Sequence, residues 1–157
     1  MHKLLAMLVL VAASPLAQTP GNPGDPVAVT VITPDKINWK PAPANMPPGA
    51  KVAVLSGDPA SDGPFILRLK LPDGYKIPPH WHPVTEYTTV LSGQLFIGAG
   101  DVFDESKLQA LPQRSVVAVP AHQNHYALAK GETEVQTQGM GPFKRTYVNP
   151  ADDPSRK

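Results

Sequence analysis

Apart from His2, every histidine in this chain falls in one of two short segments. His80 and His82 lie in the first, and His122 and His125 in the second. The first segment also carries Glu86. Imidazole and carboxylate are the side chains that hold divalent ions or move protons, and histidines placed for packing or solubility would not cluster this way. In a strand His80 and His82 point to one face, with Trp81 opposite. Glu86 has the same parity, but along a continuous strand it would lie about 13 Å from His82, too far to share an ion. The chain is therefore expected to bend at Pro83-Val84-Thr85 and set Glu86 on the adjacent antiparallel strand. Pro83 favours the bend because it has no N–H for a ladder hydrogen bond. Ser92-Gly93 then reads as the next hairpin, and in the second segment an apolar strand turns at Pro120 so that His125 opens the strand after it. The absence of cysteine excludes thiol chemistry and thiolate ligation. No base stands near Ser56, Ser92 or Ser115 in these segments, so a nucleophilic triad has no support.

The elements that must position these residues read as strands. Alternation and turn chemistry predict strands over Lys51–Ser56, Phe65–Leu71, Lys76–His82, Thr85–Leu91, Gln94–Gly98, Ser115–Val119, His125–Ala129, Thr133–Gln138 and Lys144–Val148. The breaks are Gly57-Asp58-Pro59, Pro72-Asp73-Gly74 and Ser92-Gly93. One short helix is expected over Asp104–Leu111, capped by Asp104 or Ser106 and ended by Pro112. About ten short strands joined by turns indicate an all-β barrel or sandwich. Twenty prolines among 157 residues keep long helices out. Eight of them lie in residues 18–50, which read as an extended Pro-rich arm with a β-like piece at Val27–Ile32 and an anchor at Trp39.

The N-terminus reads as an export signal over residues 1–17: a basic start, the apolar run Leu4–Ala13, then small residues. The run is too short to span a bilayer. Without residues 1–17, basic and acidic residues balance at 13 each, so charge offers no case for nucleic acid or an anionic membrane. The expected organisation is a signal peptide (1–17), an arm (18–50), one barrel domain (51–148) and a polar tail (149–157), exported to the periplasm or beyond.

Gly74, His80, His82, Glu86 and Gly93 stand at every fixed position of G(X)5HXH(X)3–4E(X)6G, the first motif of the cupin superfamily, which this chain resembles over roughly residues 50–148. The second cupin motif, G(X)5PXG(X)2H(X)3N, is matched at Pro120 and His125. Arg114 and His122 replace its glycines, and Ala129 its final Asn. The resemblance implies a double-stranded β-helix, the cupin jelly-roll barrel, holding one divalent transition metal ion on His80, His82, Glu86 and His125. Three imidazoles and a carboxylate suit Fe, Mn, Ni, Co, Cu or Zn. An octahedral ion would keep two positions for a chelating substrate, whereas a tetrahedral zinc would be closed. His122 is either a solvated turn residue or a pocket group. Tyr87, Phe96 and Tyr126 read as barrel core or pocket lining, as do Phe65 and Tyr147. Gln136 and Gln138 share a parity that faces either the cavity or solvent.

Cupins of this small exported kind are associated with no one reaction. The leading expectation is a metal-dependent dioxygenase or oxidoreductase acting on a small chelating molecule. The alternatives are a non-catalytic binder of a sugar or organic acid, or a metal-assisted isomerase or hydrolase. A homodimer formed through the arm is the expected assembly.

Overall fold

The computed structural model describes residues 29–157; the export-signal expectation and the start of the arm lie outside them. Val29–Val31 are in no regular element, nor is Ile32, so the described part of the expected β-like piece forms no strand among the described residues. All that follows belongs to the compact unit Ile32–Lys157. Its strands are β1 (Lys40–Pro41), β2 (Lys51–Ser56), β3 (Gly63–Leu71), β4 (Lys76–Trp81), β5 (Glu86–Ala99), β6 (Gln109–Pro112), β7 (Val116–Val119), β8 (His125–Gly141) and β9 (Thr146–Tyr147). No helix among the described residues is long and apolar enough to cross a membrane.

Two long strands organise the fold. β5 and β8 pair antiparallel along nearly their whole length, from Tyr87↔Gln138 to Ala99↔His125, with register shifts around Ser92. Sequence reading splits each into two strands and makes Ser92-Gly93 a hairpin. The chain instead runs through, because Gly93 adopts φ +74° and lets both strands bend together without reversing. The bend divides the pairing into two halves. The C-terminal half of β8 bonds to β3, which bonds to β2 and β1, while β7 joins the N-terminal half of β5. The N-terminal half of β8 bonds to β4, which bonds to β9, while β6 joins the C-terminal half of β5. The result is the curled all-β barrel of the cupin type.

The inner face follows from alternation. In β3, Phe65, Leu67, Leu69 and Leu71 are buried, with Arg68 and Lys70 turned outward. Phe65 and Leu71 are 1% exposed, and such burial contributes about 1.5–3 kcal/mol per side chain. Residues 125–129 of β8 are buried on both faces. Outside the barrel Tyr126 packs against Phe103 and donates its hydroxyl hydrogen to the Asp104 carbonyl.

The expected helix over Asp104–Leu111 is only a 3-10 turn, Glu105–Lys107, capped by the Asp104 carboxylate at 2.9 Å from the Ser106 amide. Gln109–Pro112 leave it to form β6, where pairing with β5 satisfies the backbone and buries Leu111. The last expected strand shrinks to Thr146–Tyr147.

Candidate metal centre

His80 and Trp81 end β4, and His82 follows just outside it. The bend at Pro83-Val84 then carries the chain across the barrel, not onto the neighbouring strand as the sequence suggests. β4 does not pair with β5, because β8 lies between them. Glu86 opens β5 beside Val119 in the other half of the barrel. His125 opens β8 as the direct partner of His80. Because β5 and β8 fold back on themselves, Glu86 at one end of the pair faces His125 at the other.

The three histidines each offer a ring nitrogen, and these atoms lie within 4.8 Å of one another. All three rings are nearly sealed from solvent, at 2%, 2% and 5% exposure. Their orientation is fixed from behind. His80 Nδ1 bonds to the Pro78 carbonyl at 2.8 Å, His82 Nδ1 to Lys144 at 2.9 Å and His125 Nδ1 to Gln123 at 2.9 Å. A carbonyl only accepts, so each Nδ1 is the protonated nitrogen and each Nε2 of a neutral ring presents a lone pair. Phe143 stacks on the His82 ring with centroids 4.0 Å apart. Burial, then the Arg145 charge, then the neighbouring imidazoles hold His80 well below its ordinary 6.5, so it is neutral at pH 7.

The Glu86 carboxylate meets this cluster, its Oε2 being 3.3 Å from His82 Nε2 and 3.4 Å from His125 Nε2. Burial pushes this carboxyl up, but its contacts with His125 and His82 outweigh that and hold it well below the usual range. Thr88, two residues along the same face, donates to Oε1 at 2.7 Å. Its one hydrogen being so used, Thr88 accepts from Thr137 at 2.7 Å, giving a chain Thr137 to Thr88 to Glu86.

This donor set fits a cation. His82 Nε2 is a buried nitrogen with no hydrogen-bond partner, and an ion set between the ring nitrogens and the carboxylate would satisfy it. An ion with bonds of about 2.1 Å places its donors roughly 3–4 Å apart, and the two distances to Glu86 fall there. His80, His82, His125 and Glu86 could hold one metal ion.

Of the other residues singled out in the sequence, Tyr147 packs near the His80 ring, with centroids 6.0 Å apart, and those that follow lie away from the cluster. His122 is exposed at φ +62°, its amide bonds the His82 carbonyl at 2.8 Å, and its ring packs on Trp81 with centroids 4.9 Å apart. Tyr87 is 48% exposed, and Lys130 sits over the Phe96 ring at 4.5 Å. Tyr126 is buried against the outside of the wall. Gln136 accepts from Arg68 at 3.1 Å on the outer face, which Gln138 shares.

A cavity of about 340 Å³ opens from His82 and Glu86, walled by Lys40, Asn45, Met46, Leu67, Thr137, Phe143 and Arg145 among others. Beneath the cluster Leu71, Ile77, Leu95 and Val135 close the barrel around only about 40 Å³. Thr88, Thr137 and Arg145 escape the sequence reading. Thr88 has a signal, its parity with Glu86; Arg145 has none, being brought back by the chain after β8.

A family model described as "Domain of unknown function (DUF4437)" matches residues 26–154. No curated protein matches the chain. Among solved structures, the polyketide cyclase RemF from Streptomyces resistomycificus is similar at TM-score 0.67 and 12% identity, over 82% of this chain and 92% of that one. A putative acetylacetone dioxygenase from Methylibium petroleiphilum PM1 is similar at 0.62 and 18%, over 83% and 88%. KdgF from Halomonas sp. is similar at 0.56 and 18%, over 71% and 94%. A protein titled as a cupin superfamily member, from Desulfitobacterium hafniense DCB-2, is similar at 0.50 and 21%, over 59% and 77%. At such identities the likeness is one of fold. The chain therefore belongs to the DUF4437 family, and its fold is that of the cupins.

Proposed function

We propose that this chain is an exported, mononuclear metal-dependent oxidoreductase of the dioxygenase kind, acting on a small molecule that offers the ion two oxygens. The observation that carries this reading is the convergence of three histidine ring nitrogens within 4.8 Å of one another, with Glu86 Oε2 at 3.3 and 3.4 Å from His82 and His125, at the head of the 340 Å³ cavity. A bound ion would supply Lewis acidity and, if redox-active, a route to dioxygen. His80, His82, His125 and Glu86 would hold it, Thr88 fixes one carboxylate oxygen, and the apolar wall excludes water.

Glu86 is engaged by two histidines and Thr88, and the other charged groups lining the cavity are the cations Lys40 and Arg145. The similar fold of a putative acetylacetone dioxygenase makes diketones sensible first substrates. Export rests on residues 1–17 alone, and N-terminal sequencing of the protein from the periplasm tests it. For the reaction, protein loaded in turn with iron, manganese, nickel and copper is offered enediols, catechols, diketones and thiols while oxygen is followed. We expect oxygen uptake above that of the free metal for at least one pair. Uptake no greater than free metal throughout, or unchanged in H80A, refutes the reading.

A further inference from the structure

Arg145 sits in an environment unusual for a cation. Its Nε is buried and has no hydrogen-bond partner. Among the described residues no acid lies within ion-pair distance of its guanidinium, and Glu86, the acid that lines the same cavity, is engaged by His82, His125 and Thr88. Arg145 as a whole is only half-buried, but a buried donor of a charged group left without a partner is costly. A chain that keeps one on a cavity wall gains stability when an anion enters.

The cavity is built for such an entrant. Arg145 shares it with His82 and Glu86, and its lining carries one carboxylate against two cationic side chains, Lys40 and Arg145. Most of the remaining wall is apolar, including Pro43, Met46, Leu67, Leu69 and Phe143. A guanidinium presents its donors in a planar fork that matches a carboxylate with two parallel hydrogen bonds. About 340 Å³ admits a molecule of roughly ten to fifteen heavy atoms at ordinary packing density.

We propose that Arg145 is the carboxylate-binding residue of this cavity, and that its ligands are small organic acids with an apolar body and a second, oxygen-bearing end directed at the histidine–glutamate cluster. The proposal rests on the reading of that cluster as a metal centre. Lys40, at the rim on β1, adds to the attraction for an anion without fixing its position.

The test compares two probes that differ by one carboxylate, catechol and 3,4-dihydroxybenzoate, titrated calorimetrically into nickel-loaded protein. Wild type binds the acid at least tenfold more tightly than catechol. In R145Q, shown to be folded by its circular dichroism melt, the preference falls to within twofold. Should R145Q not fold, the ratio is read in R145K, which keeps the charge but loses the fork, and it falls at least threefold below wild type. Equal affinity for the two probes in wild type overturns the proposal, as does a preference that survives either substitution. Catechol binding unchanged by removing nickel sinks the metal-centre reading and the chelating half of the proposal with it. Nickel-dependent catechol binding without acid preference sinks only the assignment to Arg145.

Discussion

Glu86 would carry the only negative charge on the ion, and its geometry depends on two threonines that never reach the metal position. Thr88 holds Oε1 at 2.7 Å and is itself held by Thr137 at 2.7 Å, both hydroxyls being buried. Releasing that oxygen lets the carboxylate rotate away from His82 and His125. Groups that orient a metal ligand in this way typically change affinity 10–100-fold when removed. Thr88→Val keeps the shape but removes the donor, so metal affinity measured by chelator competition should fall by about that range, with Thr88→Ser recovering most of it. An affinity within twofold of wild type would show that Glu86 is held by the histidines alone. Thr88 was in principle legible, since it shares the face of Glu86 in an alternating strand. Thr137 depends on a choice the sequence leaves open. Gln136 and Gln138 are placed as well as Thr137 to face the cavity, and pairing with β3 and β5 decides it.

The strands themselves were easy to read where one face is apolar, as in Phe65–Leu71, and harder where a glycine bends them. Gly93 illustrates why. A motif glycine after Ser92 suggests a reversal, yet it is a hinge in the middle of β5, packed so closely that a Cβ there would sit 2.4 Å from the Glu132 carbonyl oxygen and 2.6 Å from Thr133 Oγ1. Gly93→Ala therefore combines a strained φ of +74° with overpacking, and is expected to cost about 2–4 kcal/mol in chemical denaturation. A loss below about 1 kcal/mol would mean that the bend yields easily. The two motif glycines missing from the second segment show the converse. Arg114 and His122 hold φ of +73° and +62°, so the backbone keeps the left-handed turns with other side chains in place. Motif spacing thus predicted backbone shape even where residue identity had changed. It could not predict that Glu86 lies across the barrel, because partner choice between distant strands is set by β8, some forty residues downstream.

At the scale of the whole molecule, the arm is part of the site. Pro41, Pro43, Asn45 and Met46 wall the cavity, so whatever binds there contacts residues outside the first and second motifs. Trp39 lies under Lys70 at 4.5 Å, and Lys40–Pro41 pair with β2. Two buried tyrosines pin the next stretch: Tyr147 donates to the Asn45 carbonyl at 2.9 Å, and Tyr75 donates to the Pro47 carbonyl. Met46 and Ala50 of this stretch are buried in the core, and the two hydroxyls add hydrogen bonds whose donors its prolines cannot supply. Burial pushes the Tyr75 hydroxyl up to about 12, against the opposing Arg145 charge. A phenol whose folded pKa is raised above its ordinary 10.0 contributes fully below that value, and the contribution is lost as pH rises from about 10 towards 12. The melting temperature of wild type should accordingly fall between pH 9.5 and 11.5 more steeply than that of Tyr75→Phe. The double variant Tyr75→Phe/Tyr147→Phe should leave metal content intact while exposing residues 40–50 to limited proteolysis, and should weaken binding of 3,4-dihydroxybenzoate. Proteolysis confined to other segments, or ligand affinity unchanged in a double variant whose arm is cut, would show that the barrel wall alone forms the binding site.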